Sequence, residues 1–183
     1  MDELTRTLIT NICSTDHQVQ NDAFFAIIAA TDQPVDWAYE AWDGLLADLR
    51  DKDNHIRAIS AQLLCNLAKS DPQKRMLKDF AALLTLTKDE RFVTARHCMQ
   101  ALWKVGVAGA EQQQIFVDGM AGRFSECISE KNGTLIRADI LQSMRNVYDS
   151  THAESIHQKA LTLIESEDDE KYRKKYAAIW KHA

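Results

Sequence analysis

Six histidines are the side chains best suited to acid–base or metal chemistry in this chain. They are His17, His55, His97, His152, His157 and His182. His152 and His157 are five residues apart, whereas two histidines that bind zinc from one helix face are four apart, as in HExxH. The others are too dispersed to predict a catalytic or metal site. His97 alone lies among polar residues of one predicted helix face.

The four cysteines show no metal-binding or disulfide pattern. Cys13, Cys65, Cys98 and Cys127 lie 52, 33 and 29 residues apart, without a CxxC pair. We interpret them as reduced, mostly buried side chains that act as small hydrophobic residues. The chain also has no GxxxxGK[ST], GxGxxG or GxSxG motif, so it lacks the common phosphate and serine-hydrolase signatures. The sequence therefore predicts no catalytic residue, no cofactor and no metal site.

A dense group of carboxylates occurs in Glu165-Ser166-Glu167-Asp168-Asp169-Glu170. The run lacks the glycine and the alternating ligands of a calcium-binding loop. Carboxylates also complement the positive N-terminal end of a helix dipole. We therefore interpret the run as a solvated turn at the start of the last helix.

The composition is that of an ordinary folded domain. The 183 residues are 45% hydrophobic and 27% charged, with a formal charge of −5, which excludes a disordered chain and a disulfide-stapled miniprotein. Residues 1–91 carry 10 Lys and Arg against 15 Asp and Glu, and residues 92–183 carry 12 of each class. Because nonspecific binding to nucleic acid needs an excess of basic residues, this balance disfavours nucleic acid as a partner.

Targeting signals are not evident in the sequence. No window approaches the roughly 18 apolar residues of a membrane span. The segment Met1–Arg6 is acidic, whereas a secretory signal starts with basic residues and continues with an apolar stretch. We therefore expect no membrane association and a cytoplasmic location.

Apolar residues recur at three- and four-residue steps, which predicts an all-α fold without strands. In Ile56–Leu67, the apolar stripe consists of positions 56, 59, 60, 63, 64 and 67, and Arg57, Ala58, Gln62 and Asn66 face away. Ten helices are predicted at 2–13, 16–31, 36–50, 53–69, 72–87, 89–106, 111–130, 134–149, 152–165 and 168–182.

Capping signals mark several of the helix starts. Asp71-Pro72 places a side-chain acceptor at the N-cap and a residue without a donor at N1. Thr15-x-x-Gln18 and Thr151-x-x-Glu154 match the capping-box pattern. Asn132-Gly133-Thr134 is interpreted as a helix stop followed by a threonine cap.

An internal repeat is visible when the starts of the even-numbered helices are aligned. These starts are Val19-Gln20, Ile56-Arg57, Ala95-Arg96, Ile136-Arg137 and Tyr172-Arg173, with spacings of 37, 39, 41 and 36. One shift of 80 residues aligns Ile56-Arg57-Ala58, Gln62, Asn66 and Leu67 with Ile136-Arg137-Ala138, Gln142, Asn146 and Val147. The chain is thus predicted to stack similar two-helix units, because a single hairpin cannot bury both of its apolar faces.

The segment Leu45–Ala58, LLADLRDKDNHIRA, resembles the HEAT-repeat family, whose unit is a hairpin with a leucine-rich first helix, an aspartate in the turn and a Val/Ile-Arg start to the second helix. The third repeat departs from this pattern, because Asp89 lies seven residues before Arg96. The resemblance implies a right-handed α-α superhelix of about five hairpins in a single domain, residues 1–183. The implied hairpins are 2–31, 36–69, 72–106, 111–149 and 152–182.

The resemblance also implies that the second helices line the concave, partner-binding face. Their residues outside the apolar stripes are polar and weakly basic: Gln62, Asn66, Lys69, Arg96, Gln100, Lys104, Gln142, Arg145, Asn146, Lys174 and Lys181. Such a surface suits a protein or peptide with acidic or amide-rich contacts. The alternative is that these are ordinary solvated positions.

The arginines Arg57, Arg137 and Arg173 recur at corresponding places, with Asp53 and Asp168 just upstream. Each guanidinium is predicted to bond a nearby carboxylate or turn carbonyl. This repeated contact is interpreted as structural rather than as a ligand site.

The leading functional hypothesis is a non-enzymatic scaffold or adaptor that binds a protein or peptide. One alternative is an enzyme resembling the alkylpurine (AlkD-like) DNA glycosylases, which are HEAT-like solenoids with concave aromatic residues and an acidic residue. The tryptophans are Trp37, Trp42, Trp103 and Trp180, and none has an aspartate four residues later. Trp42, Trp103 and Trp180 are predicted to pack in the core. A third hypothesis is a helper protein resembling the phycobilisome-linked HEAT lyases.

Overall fold

The computed structural model describes residues 1–181, and all regular elements in that part of the chain are helical. The α-helices are α1 (Glu3–Asn11), α2 (His17–Ala30), α3 (Ala38–Asp48), α4 (Asn54–Leu67), α5 (Met76–Leu86), α6 (Phe92–Ala101), α7 (Trp103–Gly106), α8 (Ala110–Glu126), α9 (Gly133–Thr151), α10 (Glu154–Glu165) and α11 (Glu170–Ile179). Short 3₁₀ turns, Ala68–Ser70 and Cys127–Ser129, follow α4 and α8. The predicted all-α class is confirmed. His182, at the end of the predicted last helix, lies outside the described residues.

The chain divides into two compact units, unit 1 (Met1–Ala101) and unit 2 (Leu102–Ala183). In unit 1 the helices pack in consecutive pairs, α1 with α2, α3 with α4 and α5 with α6, and the second helix of each pair packs on the next, α2 on α4 and α4 on α6. In unit 2, α8 packs with α9, α10 with α11, and α9 with α11. The short α7 lies against α8 and α9. Consecutive helices thus form packed pairs within each unit.

Helix α4 is the core of unit 1, because α2, α3 and α6 all pack against it. Leu63, Leu64 and Leu67 are fully buried, and each side chain contributes roughly 1.5–3 kcal/mol relative to exposure. Arg57 and Ala58, which the sequence pattern turns away from the core, are buried as well. That prediction is wrong for these two residues because several helices pack against α4, so residues outside its apolar stripe are also covered.

The core of unit 2 is built mainly from α8 and α9. Phe116 and Phe124 of α8 and Met144 and Val147 of α9 are fully buried. Phe124 also meets Tyr176 of α11 edge to face, with ring centroids 6.2 Å apart, an arrangement that aromatic pairs prefer. Apolar residues at three- and four-residue steps thus bury one face of each helix.

Three second helices of hairpins, α2, α4 and α11, are capped at their N-terminus by an aspartate side chain and not by a threonine. The carboxylates accept hydrogen bonds from backbone N–H groups two residues later: Asp16 from Gln18 at 2.9 Å, Asp53 from His55 at 2.8 Å and Asp169 from Lys171 at 2.8 Å. A cap of this kind contributes about 1 kcal/mol. The predicted capping box at Thr15 is therefore wrong by one residue, since Asp16 holds the N-cap position.

Helix α5 begins at Met76 and its N-cap is Arg75, so the predicted N-cap at Asp71 and N1 at Pro72 are wrong, although the Asp71 side chain still bonds the start of the helix. Oδ1 of Asp71 accepts from the N–H of Arg75 at 2.9 Å, and Oδ2 accepts from the N–H of Met76 at 2.8 Å. A turn therefore separates the capping aspartate from the first helical residue. The predicted box at Thr151 is wrong, because Thr151 is the last residue of α9 and α10 follows Ala153 without a side-chain cap.

Two further helix boundaries differ from the sequence pattern. Helix α9 begins at Gly133, and the preceding Asn132 makes no side-chain cap, so the predicted threonine cap is absent there. The predicted helix 89–106 is divided into α6 and α7 at Leu102. That break coincides with the boundary between the two units, so the predicted hairpin 72–106 contributes to both.

Candidate functional site

The second helices of unit 1 border a surface groove with a volume of about 240 Å³. We call it the second-helix groove, and its lining residues are Asn21, Phe24, Phe25, Asn54, His55, Ala58, Ile59, Gln62, Val93, Thr94 and His97. Ile59 is buried, whereas Phe25 and Val93 are 67% and 63% exposed. The volume is below the roughly 300–1,000 Å³ of small-molecule pockets. The groove is therefore smaller than most small-molecule sites.

Few charges occur on the helices that form this groove. Besides histidines, helices α2, α4 and α6 contain only Asp22, Arg57 and Arg96 as acidic or basic residues. Arg57 is buried against Asp89, and Asp22 accepts a hydrogen bond from Gln18. The cores of protein interfaces are likewise depleted in charge and enriched in aromatic residues. The composition of this face is thus closer to that of an interface than to an ordinary solvated surface.

Three histidines lie on or beside the same groove. His55 and His97 line it, and the ring of His17 lies 5.5 Å from that of His55. No group of three or more His, Cys, Asp or Glu side chains in residues 1–181 is arranged to hold a metal ion. The imidazoles can donate or accept hydrogen bonds to a bound chain.

Asn66 is not on the surface, contrary to its place among the predicted partner-binding residues. Its side chain is fully buried. Its Nδ2 donates to Oγ1 of Thr31 at 2.6 Å and to the carbonyl oxygen of Ile28 at 3.1 Å. These bonds join α4 to the end of α2, so the amide satisfies buried acceptors and is removed from the candidate surface.

The other predicted residues of unit 1 lie at or near the surface. Gln62 is half-buried, lines the second-helix groove and donates to the carbonyl of Ala58. Lys69 and Gln100 are exposed, and Arg96 is half-buried with its guanidinium 5.9 Å from the ring centre of Phe92. Of the whole predicted set, only Gln62 lines this groove.

The remaining predicted residues belong to unit 2 and mostly have partners on their own helices. Gln142 donates to Asn146 at 3.0 Å. Arg145 donates to Asp149 at 2.6 Å and to the carbonyl of Ile179 at 3.0 Å. The other three are Lys104, which is half-buried, Lys174, which pairs with Glu170, and Lys181, which is exposed. None of these unit 2 residues lines the three cavities described for unit 1.

Phe25 and Val93 are the exposed apolar residues of the groove that the sequence pattern does not identify. Both are apolar, and the helical periodicity does not distinguish them from core residues. Adjacent positions on an α-helix are about 100° apart, so Phe24 and Phe25 cannot both face one neighbouring helix. The tandem of two phenylalanines was therefore the available signal that one large ring is exposed.

The repeated arginines bond carboxylates and turn carbonyls, as predicted, but the carboxylates differ from those expected. Nε and Nη2 of Arg57 donate to Asp89 at 2.7 and 2.9 Å, and Nη1 donates to the carbonyl of Asp51 at 2.8 Å. Arg137 donates to Glu167 at 2.7 Å. Arg173 donates to the carbonyl of Glu167 at 3.3 Å. The bidentate and buried contacts support a structural role for these arginines.

The pKa of Asp89 makes the stability of the folded protein depend on pH. Burial pushes the pKa of Asp89 upward, but hydrogen bonds from Arg57 and from the N–H of Arg91 outweigh it, so the pKa is below its ordinary value. A carboxyl group with a depressed pKa in the folded state stabilises the protein above its unfolded-state pKa, and that contribution is lost as the pH falls through the folded-state value.

We expect Asp89→Asn to lower the free energy of unfolding at pH 7 by about 2 kcal/mol, because Arg57 loses its charged acceptor. The variant should also lose less stability than the wild type between about pH 5 and pH 3. Urea unfolding curves at several pH values measure both effects. Asp36→Asn, at an exposed position, is the control. Parallel pH profiles for wild type and Asp89→Asn would contradict the assignment.

The cysteines do not form a reactive group. Burial, followed by the nearby charge of Asp48, raises the pKa of Cys13 to about 11. Burial also raises the pKa values of Cys98 and Cys127. None of the four cysteines forms a disulfide bond, and Cys13 alone is exposed. Because the thiolate is the nucleophilic form, these three thiols are poor nucleophiles at neutral pH.

Most of the tryptophans are core residues. Trp42 is fully buried, and its Nε1 donates to Asp79 at 2.9 Å. Trp37 and Trp180 are also buried, whereas Trp103 is half-buried. Core packing is thus confirmed for Trp42 and Trp180. Buried rings cannot stack on an extruded base, which is what recognition of a flipped nucleotide requires.

No protein-family model matches this chain, and no curated protein matches it. Among the described residues, none of the helices has both the length and the apolar composition needed to cross a membrane. The class that the structure defines is an all-helical protein of two compact units.

Proposed function

We propose that this chain is a non-enzymatic, HEAT-like scaffold or adaptor whose second-helix groove binds a protein or peptide partner. The observation that carries the proposal is the exposure of Phe25 and Val93 beside a groove on helices that are nearly free of charge. Exposed apolar side chains grouped around a cavity are typical of interaction sites.

The larger architecture is part of the same proposal. It is a right-handed superhelix of five hairpins, and the sequence repeat and the helix pairs within each unit support it. Four cysteines without disulfide bonds support a reducing compartment, and we propose the cytoplasm. No observation in residues 1–181 favours the glycosylase or the phycobilisome-linked helper over the scaffold.

The partner contributes one or two apolar side chains to the groove. Phe25 and Val93 flank it, and the buried Ile59 adds an apolar surface. Around them, Asn21, Asn54 and Gln62 offer amide groups and His55 and His97 offer imidazoles, which can satisfy polar atoms of a bound chain. Burying an aromatic side chain at such a site contributes more binding free energy than contacts at its rim.

Phe25→Asp tests this function, because it places a charge where the partner's apolar side chain is expected to bind. Proteins captured by the tagged wild-type chain should be lost from the variant, and the affinity of a purified partner should fall about tenfold or more. Quantitative mass spectrometry of the captured proteins, followed by calorimetric titration of the purified partner, measures the effect.

Leu4→Asp is the matched control. Leu4 is 69% exposed, on α1 of the same unit, and it does not line the groove. The control should retain the partner with an affinity within about twofold of the wild type, because a charge outside an interface has little effect. Equal loss in both variants, or no loss in Phe25→Asp, would count against the proposed groove.

A further inference from the structure

A second groove in unit 1 lies between α3 and α5, the first helices of two hairpins. It consists of two cavities of about 360 and 270 Å³ that share Arg50 and Ala82 in their linings. Leu46 lines one of these cavities, and Leu49 and Leu86 line the other. Leu49 and Leu86 are themselves buried, so apolar atoms form the floor. We call this surface the first-helix groove.

The acidic residues of the first-helix groove are already bound within unit 1. They are Asp79, which accepts from Nε1 of Trp42, Asp89, which pairs with Arg57, and Asp43, which pairs with Arg75. The ion pairs of Asp89 with Arg57 and of Asp43 with Arg75 offset the charge of those two carboxylates at short range, so they repel an incoming anion less than free ones do. The indole N–H of Trp42 is neutral, so its hydrogen bond does not offset the charge of Asp79.

Two basic residues of the groove are arranged differently. Arg50 and Lys78 are exposed, and among residues 1–181 no protein acceptor is found for either side chain. Lys88 also lines the cavity that Arg50 lines, and it has an interaction of its own within the described residues. Positive charge thus borders an apolar floor, in a chain whose formal charge is −5. This local reversal of sign is complementary to a negatively charged ligand.

We propose that the first-helix groove binds an acidic segment of a partner protein. An aliphatic side chain of the segment packs on the leucine floor, and flanking carboxylates pair with Arg50 and Lys78. A bare phosphate would use the basic rim but not the floor, whereas alternating carboxylates and aliphatic side chains use both. The site is independent of the second-helix groove, because the two linings share no residue.

The probe is a fluorescein-labelled 12-residue peptide made of four Glu-Asp-Leu triplets, titrated with the whole chain and followed by fluorescence anisotropy. Arg50→Glu/Lys78→Glu should weaken binding at least about tenfold, because each reversal replaces attraction by repulsion. Binding should also weaken as the salt concentration rises from about 50 to about 300 mM, because salt screens exposed charges.

Lys52→Glu/Lys159→Glu is the matched control, with the same change in net charge at two exposed lysines outside the groove. It should change the affinity by less than about twofold. All four substituted positions are exposed, and equal helix content by circular dichroism verifies that both variants fold. The milder Arg50→Gln and Lys78→Gln variants should each weaken binding about threefold.

Four outcomes would overturn the proposal. An equal loss of affinity in both double variants would show an effect of net charge alone. Equal binding of a peptide with Ser in place of Leu would show that the leucine floor has no role. The other two outcomes are no binding at about 1 mM chain and low salt, and tighter binding of a 12-nucleotide oligothymidylate that also depends on Arg50 and Lys78, which would indicate a nucleic-acid ligand. Phe25→Asp should leave peptide binding unchanged, which separates this site from the second-helix groove.

Discussion

Arg137→Met is expected to lower the free energy of unfolding by about 3–5 kcal/mol, because it removes one partner of a buried ion pair. Nη1 of Arg137 donates to Oε2 of Glu167 at 2.7 Å, and both side chains are less than a tenth exposed. Nε of Arg137 donates to the backbone carbonyl of Phe124 at 3.0 Å, and the guanidinium lies 4.5 Å from the centre of the Phe124 ring. Methionine retains the apolar stem but leaves the Glu167 carboxylate buried without a cation. Urea unfolding followed by circular dichroism measures the change.

Two further variants isolate the ion pair. Glu167→Gln removes the negative charge. The loss of stability in Arg137→Met/Glu167→Gln should be smaller than the sum of the losses in the two single variants, by roughly 2 kcal/mol. Arg173→Met is the matched control, since Arg173 occupies the corresponding place in α11, the second helix of the next pair. It is half-buried and makes one bond of 3.3 Å to the Glu167 carbonyl. It should cost less than about 1 kcal/mol. An equal loss from Arg137→Met and Arg173→Met would show that the buried pair contributes nothing special.

Gly133→Ala is expected to destabilise the protein by about 2–3 kcal/mol, the second large effect. A Cβ atom at Gly133 would lie 2.3 Å from the carbonyl oxygen of Cys127. That oxygen belongs to the backbone of the turn before α9, so the clash cannot be relieved by rotating a side chain. Either the turn or the start of α9 must shift, and Arg137 lies only one helical turn further along.

Gly122→Ala should have the opposite sign. Gly122 lies inside α8, and a Cβ atom there would meet no atom within 4 Å. Alanine should therefore stabilise the helix by roughly 0.5–1 kcal/mol through its higher helix propensity. Thermal unfolding of the two variants side by side measures the contrast, and a shift of the midpoint in the same direction for both would contradict the packing at Gly133.

The all-helical fold could be predicted from the sequence because its signals are local. Apolar residues at three- and four-residue steps identify a helix without knowledge of its neighbours. The repeated arginines could also be recognised, because a hairpin unit places corresponding residues at a nearly constant spacing. The stripe on α4, with Leu63, Leu64 and Leu67, is correctly assigned to the core.

Sequence patterns mispredict the environment of a residue whose contacts come from distant parts of the chain. The helical pattern predicts Asn66 at the surface, but its hydrogen-bond partners at the end of α2 lie 35 and 38 residues earlier. The carboxylate partners of Arg57 and Arg137 are 32 and 30 residues later, rather than in the adjacent turns. A helical periodicity describes one apolar face, and it does not show how many other helices pack against the same helix.

The sequence by itself therefore determined the helices, their approximate ends and the recurrence of hairpin-like pairs, because backbone hydrogen bonding and apolar periodicity act over a few residues. The tertiary structure alone decided which polar side chains are buried, which carboxylates the arginines bind and which apolar side chains stay exposed. Phe25 and Asn66 illustrate the difference. An exposed phenylalanine and a buried asparagine both reverse the usual preferences of their residue types, and only the packing of α2, α4 and α6 explains either.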